Sequence, residues 1–146
     1  MIRAVFDTNL LVSAFLTRHH AGGVSTELLR LVYSGAVELC LSPEIIQETA
    51  GTLSRSERMQ ARYRYSPEQA MQYSADLFIV ATIVADPPPL PGVVPRDPDD
   101  DKIVACAVAA NADYLVSRDL DLLSLDRYGT VIFIAPERFL SVVRAA

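Results

Sequence analysis

Short apolar runs alternate along this chain with stretches of helical periodicity, and the alternation leaves few folds open. Ile2–Phe6 is mostly apolar and ends on Asp7, Val37–Leu41 ends on Ser42-Pro43, and 114–117 ends just before Asp119. Two further runs, 79–85 and 131–135, read as strands. Between them, 10–16, Val24–Tyr33, the stretch from Ser42-Pro43 through Leu53, the stretch from Ser66-Pro67 through Phe78, 102–112 and 136–144 carry apolar residues at helical spacing, with a helical turn at 120–125. Ser-Pro at two of the starts supplies an N-cap and a first-turn proline. Segment 86–98 holds six of the nine prolines and is expected to be irregular. Strand–helix alternation builds a parallel sheet covered on both faces. The expected architecture is therefore a three-layer α/β/α fold with a central, mainly parallel sheet, and 146 residues make one domain, 1–146.

Composition removes several classes of function. With 13 basic and 18 acidic residues the formal charge is −5, so the chain is no polycation that grips nucleic acid by bulk charge. Two cysteines, Cys40 and Cys106, exclude a disulfide scaffold or a cysteine-built zinc site, and both lie in apolar runs that suit buried free thiols. The start of the chain has no basic segment followed by a long apolar one, and the longest apolar run, 77–85, is interrupted by Thr82. The expectation is a cytoplasmic protein with no membrane contact. Gly22-Gly23 is not followed by the Lys-Ser/Thr of a phosphate loop, and no nucleophile elbow is present. His19-His20, in a polar loop, is an incidental pair on its sequence context.

The acids are more informative. In open parallel α/β sheets, ligands bind beyond the carboxyl ends of the strands. Asp7 follows the first strand, Asp119 and Asp121 follow 114–117, Asp99, Asp100 and Asp101 precede the helix leading into that strand, and Glu48 lies on the helix after the second strand. Singly, each has an ordinary reading as a helix cap, a turn former or a solvated helix residue. Jointly, four separated segments bring carboxylates to one rim. Clustered carboxylates repel one another unless a cation neutralises them, and an all-oxygen donor set suits Mg²⁺ or Mn²⁺, ions that support phosphodiester cleavage.

Four motifs in order resemble the PIN-domain ribonucleases. They are Asp7-Thr8-Asn9 after an apolar strand, Ser42-Pro43 followed by Glu48, Asp101-Lys102-Ile103-Val104-Ala105-Cys106-Ala107, and Val116-Ser117-Arg118-Asp119-Leu120-Asp121. The resemblance covers residues 2 to about 140. It implies a Rossmann-like fold and Mg²⁺- or Mn²⁺-dependent cleavage of single-stranded RNA, leaving 5′-phosphate and 3′-hydroxyl ends. It implies Asp7, Glu48, Asp101 and Asp119 as catalytic carboxylates and metal ligands, with Asp121 as a further ligand. Asp101 is preferred within its run because Ile103 and Ala105 follow at the family spacing. Compact chains of this kind resemble the toxin of bacterial toxin–antitoxin pairs, which implies a homodimer silenced by a cognate antitoxin protein. The competing readings are an inactive PIN-fold interaction module and an acid-rich α/β phosphatase. The second of these would prefer an acid where Asn9 stands.

Two surfaces carry further expectations. Arg55, Arg58, Arg62 and Arg64 lie close together and interleave with Tyr63 and Tyr65, and the first three fall on one face of a single helix. They are candidate RNA contacts, phosphates on arginine and a base on tyrosine. The mean hydropathy is +0.23. Stretch 77–85 and the C-terminal helix, with Phe139, Leu140, Val142 and Val143, hold more apolar residues than one sheet face hides, which favours self-association.

Overall fold

The computed structural model describes residues 1–20, 22–90, 92–93 and 98–146, with the side chains of 98 and 99 outside that description. Strand β1 (Ile2–Phe6) runs into Asp7, whose carboxylate accepts the Leu10 N–H at 2.8 Å and so caps helix α1 (Thr8–Leu16). Helix α2 (Val24–Tyr33) returns the chain to β2 (Val37–Leu41). Ser42 then caps α3 (Pro43–Arg55), with Pro43 in its first turn. A short α4 (Glu57–Tyr63) and a long α5 (Pro67–Val80) follow, the latter opened by a reciprocal Ser66/Gln69 capping box. Strand β3 (Thr82–Ile83), helix α6 (Pro98–Ala109), strand β4 (Tyr114–Val116), the single turn α7 (Leu120–Leu123), the hairpin β5 (Arg127–Tyr128) and β6 (Val131–Ile134), and helix α8 (Pro136–Ala145) complete the chain.

The strands form one sheet in the order β3-β2-β1-β4-β6-β5, parallel except for β5. The chain winds outward from β1 through β2 to β3, then crosses back to lay β4 on the other side of β1. The β1–β4 register pairs Ala4 with Tyr114 and Phe6 with Val116. Asp7 and Ser117 therefore emerge side by side where the winding direction reverses, the place at which such sheets bind ligands. The core on either side is apolar. Phe139 on α8 is fully buried and meets Phe6 and Tyr114 edge-on, at 6.0 and 5.4 Å between ring centroids. Cys40 and Cys106 are both buried and free, and desolvation pushes their thiols up to about 12 and about 11, well above the reactive range.

Four local readings differ from the sequence pattern. The apolar run 79–85 is mostly the end of α5, and only two residues of it pair as a strand. Helix α6 starts at Pro98 rather than Lys102, so the acidic run lies inside its first turns. Ser56 caps α4 in an extended conformation, which separates Arg55 from Arg58 and Arg62. Arg64 takes a left-handed conformation, φ 55°, as the α4 C-cap. Arg55, Arg58 and Arg62 thus do not share one helix face, because a cap residue has reset the helix axis between Arg55 and the other two. Helix α8 also differs: Phe139, Leu140 and Val143 go into the core, and Val142 packs partly against it. The outer face of α5 and the edge strand beside it do stay exposed, with Met71, Phe78, Ile79 (83% exposed) and Ile83 meeting solvent. Among the described residues no helix is long and apolar enough to cross a membrane.

Candidate active site

Each acidic side chain is delivered by a different element. Asp7 ends β1, Glu48 lies on the second turn of α3, Asp100 is in the first turn of α6, and Asp119 caps α7 beyond β4. All four line one cavity of about 250 Å³, together with Thr8, Asn9 and Ile103. A second cavity of about 290 Å³ shares Asp7, Asn9 and Asp119 with it and adds Leu10, Ser13 and Arg118.

Asp101 does not join this group. Successive helical residues point about 100° apart, so Asp100 and Asp101 face different cavities. Asp101 accepts the Gly92 N–H at 3.0 Å and lines a different cavity of about 360 Å³ with Ser42, Glu44, Pro87, Pro89, Leu90, Lys102 and Ala105. Its neighbour Lys102 pairs with Glu44 at 2.8 Å. The family spacing selected Asp101. The geometry of a helix that begins at Pro98 puts Asp100 beside Asp7, Glu48 and Asp119 instead. A helix start read at Pro98 would have signalled this, because Asp100 and Ile103 then lie three residues apart on one face. Asp121 contributes through its backbone N–H, which donates to Asp119 Oδ1 at 2.9 Å, and its side chain is not among those lining either cavity.

Ser117 holds the centre of the arrangement. Its side chain has no exposed surface, its hydroxyl donates to Asp7 Oδ2, and it accepts the Asp119 N–H at 3.0 Å. The backbone is pinned on both sides, Asp7 N–H to the Val116 carbonyl at 3.2 Å and Ser117 N–H to the Ile134 carbonyl at 3.0 Å. Asp7 itself is only 5% exposed. Burial raises its carboxyl above the ordinary 3.8, the bonds from Ser117 and the Leu10 N–H oppose that, and the nearby Asp119 charge adds to it. Glu48 is exposed and is steered by the Thr8 hydroxyl, which donates to its Oε2 at 3.3 Å. Arg118 stands at the rim in an ion pair with Glu137, whose carboxyl is held low by that contact.

The four carboxylates share one cavity. Among the described residues, no three His, Cys, Asp or Glu side chains stand as a ready-made metal cluster. Asp7 spends its oxygens on Leu10 and Ser117, Asp119 spends Oδ1 on Asp121, and Glu48 is drawn to Thr8. His19 and His20 are exposed beyond the far end of α1. Tyr65 is not a surface ring: it is buried against Phe15 and donates to the Leu53 carbonyl at 2.8 Å.

Residues 3–121 match the sequence model of the PIN domain. Among solved structures, the fold is similar to the crystal structure of PAE2754 from Pyrobaculum aerophilum. The TM-score is 0.60 at 17% identity, over 99% of this chain and 91% of that one, a likeness of fold. No curated protein matches the chain.

Two outcomes follow from the Asp7–Ser117–Asp119 group. A carboxyl whose pKa rises on folding favours the folded state while protonated and opposes it once ionised. Its contribution is full below 3.8 and is lost as pH rises through the higher folded value. Asp7→Asn keeps a cap acceptor for Leu10 and removes the buried charge. The metal-free variant should therefore melt higher than the parent at neutral pH, and the difference should vanish in acid. Melts across that range in chelator check this, and a variant less stable at neutral pH refutes it. Ser117→Ala strands the Asp7 oxygen and the Asp119 N–H. It should cost about 1–3 kcal/mol in urea unfolding, and an unchanged midpoint would show that the bridge contributes nothing.

Proposed function

Because the chain belongs to the PIN-domain family, whose members are generally nucleases, we propose that it hydrolyses phosphodiester bonds of single-stranded RNA with a divalent cation. The observation that carries the reading is the delivery of four carboxylates, from four separate segments, to one cavity at the switch point of the sheet. The donors are all oxygen, and the most buried of them carries a raised pKa in the company of a like charge. That chemistry fits a hard ion such as Mg²⁺ or Mn²⁺. Asp7, Asp119, Glu48 and Asp100 are the residues that would hold it, with Asp100 in the place first assigned to Asp101. When bound, such an ion supplies Lewis acidity and lowers the pKa of a water.

The chain's own groups divide the remaining work. Ser117 keeps Asp7 and Asp119 aligned against their repulsion. Thr8 holds Glu48 over the cavity. Arg118, beside Asp7 and Asp119, presents guanidinium N–H donors to a phosphate oxygen entering over Asn9 and Ser13. Products with a 5′-phosphate and a 3′-hydroxyl are the expected result.

The wider role is part of the same proposal: the toxin of a toxin–antitoxin pair, acting in the cytoplasm, dimeric, and silenced by a protein that covers the acids. Its support is the motif resemblance for the pairing and the exposed apolar face of α5 for the dimer. A catalytically silent scaffold is the competing reading.

Cleavage of single-stranded RNA should require Mg²⁺ or Mn²⁺ and stop in EDTA. Asp100→Asn should lower the rate by about 10²-fold or more, on the scale of other preorganised charge groups. Asp101→Asn, which keeps an acceptor for Gly92, should stay within about tenfold of the parent. Loss in Asp101→Asn with parental activity in Asp100→Asn would return the site to Asp101, and no metal-dependent cleavage by the parent would favour the scaffold. Growth arrest on expression should track cleavage across these variants if the protein is a toxin. Sedimentation should give a mass near twice 16.0 kDa, shifting to the monomer in Ile79→Asp, and a monomeric parent at micromolar concentration would remove the dimer.

A further inference from the structure

Helix α4 and the last turn of α1 flank a further surface cavity, of about 250 Å³, lined by Leu16, Arg58, Met59, Arg62 and Tyr63. Arg58 and Arg62 lie four residues apart on α4 and are both exposed. Among the described residues neither forms an ion pair, including with Glu57 at the start of the same helix. The Arg62 guanidinium stands 5.4 Å from the centre of the half-buried Tyr63 ring. Arg55, by contrast, folds back over Gly51, where an added Cβ would lie 2.5 Å from its Nη1.

Helix α1 connects this cavity to the acids. Asn9 and Ser13 line the cavity that contains Asp7 and Asp119, and Leu16 lines the arginine cavity. Positions 9, 13 and 16 share one helical face. Seven residues at 1.5 Å each separate its ends by about 10 Å, close to the length of three stacked nucleotides at about 3.4 Å apiece.

We propose that Arg58, Arg62 and Tyr63 form a second RNA subsite, in which the arginines hold backbone phosphates and the tyrosine receives a base about three nucleotides from the scissile phosphate. The inference rests on the ribonuclease reading above. Its charge logic is specific: an acidic cavity repels a polyanion, so attraction must come from cations placed along the approach. The chemistry of the path also separates RNA from a docked protein helix. Asn9 and Ser13 are polar, and the cavity offers Leu16 and Met59 rather than the row of apolar anchors that an amphipathic helix needs.

The test is binding of a labelled single-stranded RNA by fluorescence anisotropy in EDTA, as a function of salt. Arg58→Gln/Arg62→Gln should reduce the slope of log K against log salt by about 1.4, since each single-strand phosphate contact contributes about 0.7. Tyr63→Leu should weaken binding by roughly five- to hundredfold, on the scale of lost base stacking. The preference of the parent for an RNA that spans both cavities over a dinucleotide should collapse in the double variant. A parental slope and length preference in the double variant would overturn the subsite and leave the arginines to an acidic protein partner. If the parent cleaves RNA in Mg²⁺ under that outcome, the ribonuclease reading stands while the subsite falls. A parent that cleaves no RNA in Mg²⁺ removes the reading itself, and the subsite with it.

Discussion

One buried hydroxyl ties the Asp7 carboxylate to the backbone of Asp119, whose like charge repels it. Ser117 donates to Asp7 and accepts from the Asp119 backbone, and it can do so only because β1 and β4 are hydrogen-bonded neighbours in parallel register. Everything else about the site depends on that adjacency. Asp7 serves as the N-cap of α1, so the helix fixes its Oδ1 and the serine fixes its Oδ2. A residue committed in this way cannot relax away from Asp119, and burial leaves it little water with which to screen the repulsion.

The arrangement exchanges stability for charge density. A carboxyl buried at the end of a strand beside a second one disfavours its own ionised form, and the fold retains it where an asparagine would cap the helix equally well. Such strain clusters at functional sites because the same repulsion that opposes the empty state favours a bound cation. The outer carboxylates are held differently. Glu48 is exposed and accepts from the Thr8 hydroxyl, and Asp100 is buried on the first turn of α6.

The first turn of α6 separates two environments. One side gives Asp100 and Ile103 to the acidic cavity. The other gives Asp101, Lys102 and Ala105 to a cavity walled by Pro87, Pro89 and Leu90, with Asp101 fastening the proline segment through Gly92. Adjacent aspartates thus have unlike roles, one facing the candidate chemistry and one anchoring a loop. The helix period alone produces the division.

The sequence by itself determined the layered fold and the strand ends at which acids accumulate, so that Asp7, Glu48 and Asp119 could be placed at one rim, because period, caps and strand–helix alternation are local properties. The PIN motifs were legible for the same reason. What required the tertiary structure was direction. A run of three aspartates does not state which one faces the sheet, since that depends on where α6 begins, and a proline-rich segment hides the start. Four arginines in sequence do not state that a serine cap at Ser56 breaks their helix, sending Arg55 back over Gly51 and leaving Arg58 and Arg62 beside Tyr63. Nor could the chain announce that Ser117 bridges two acids, because the bridge joins residues 110 positions apart, and only the pairing of β1 with β4 brings them within reach of one hydroxyl.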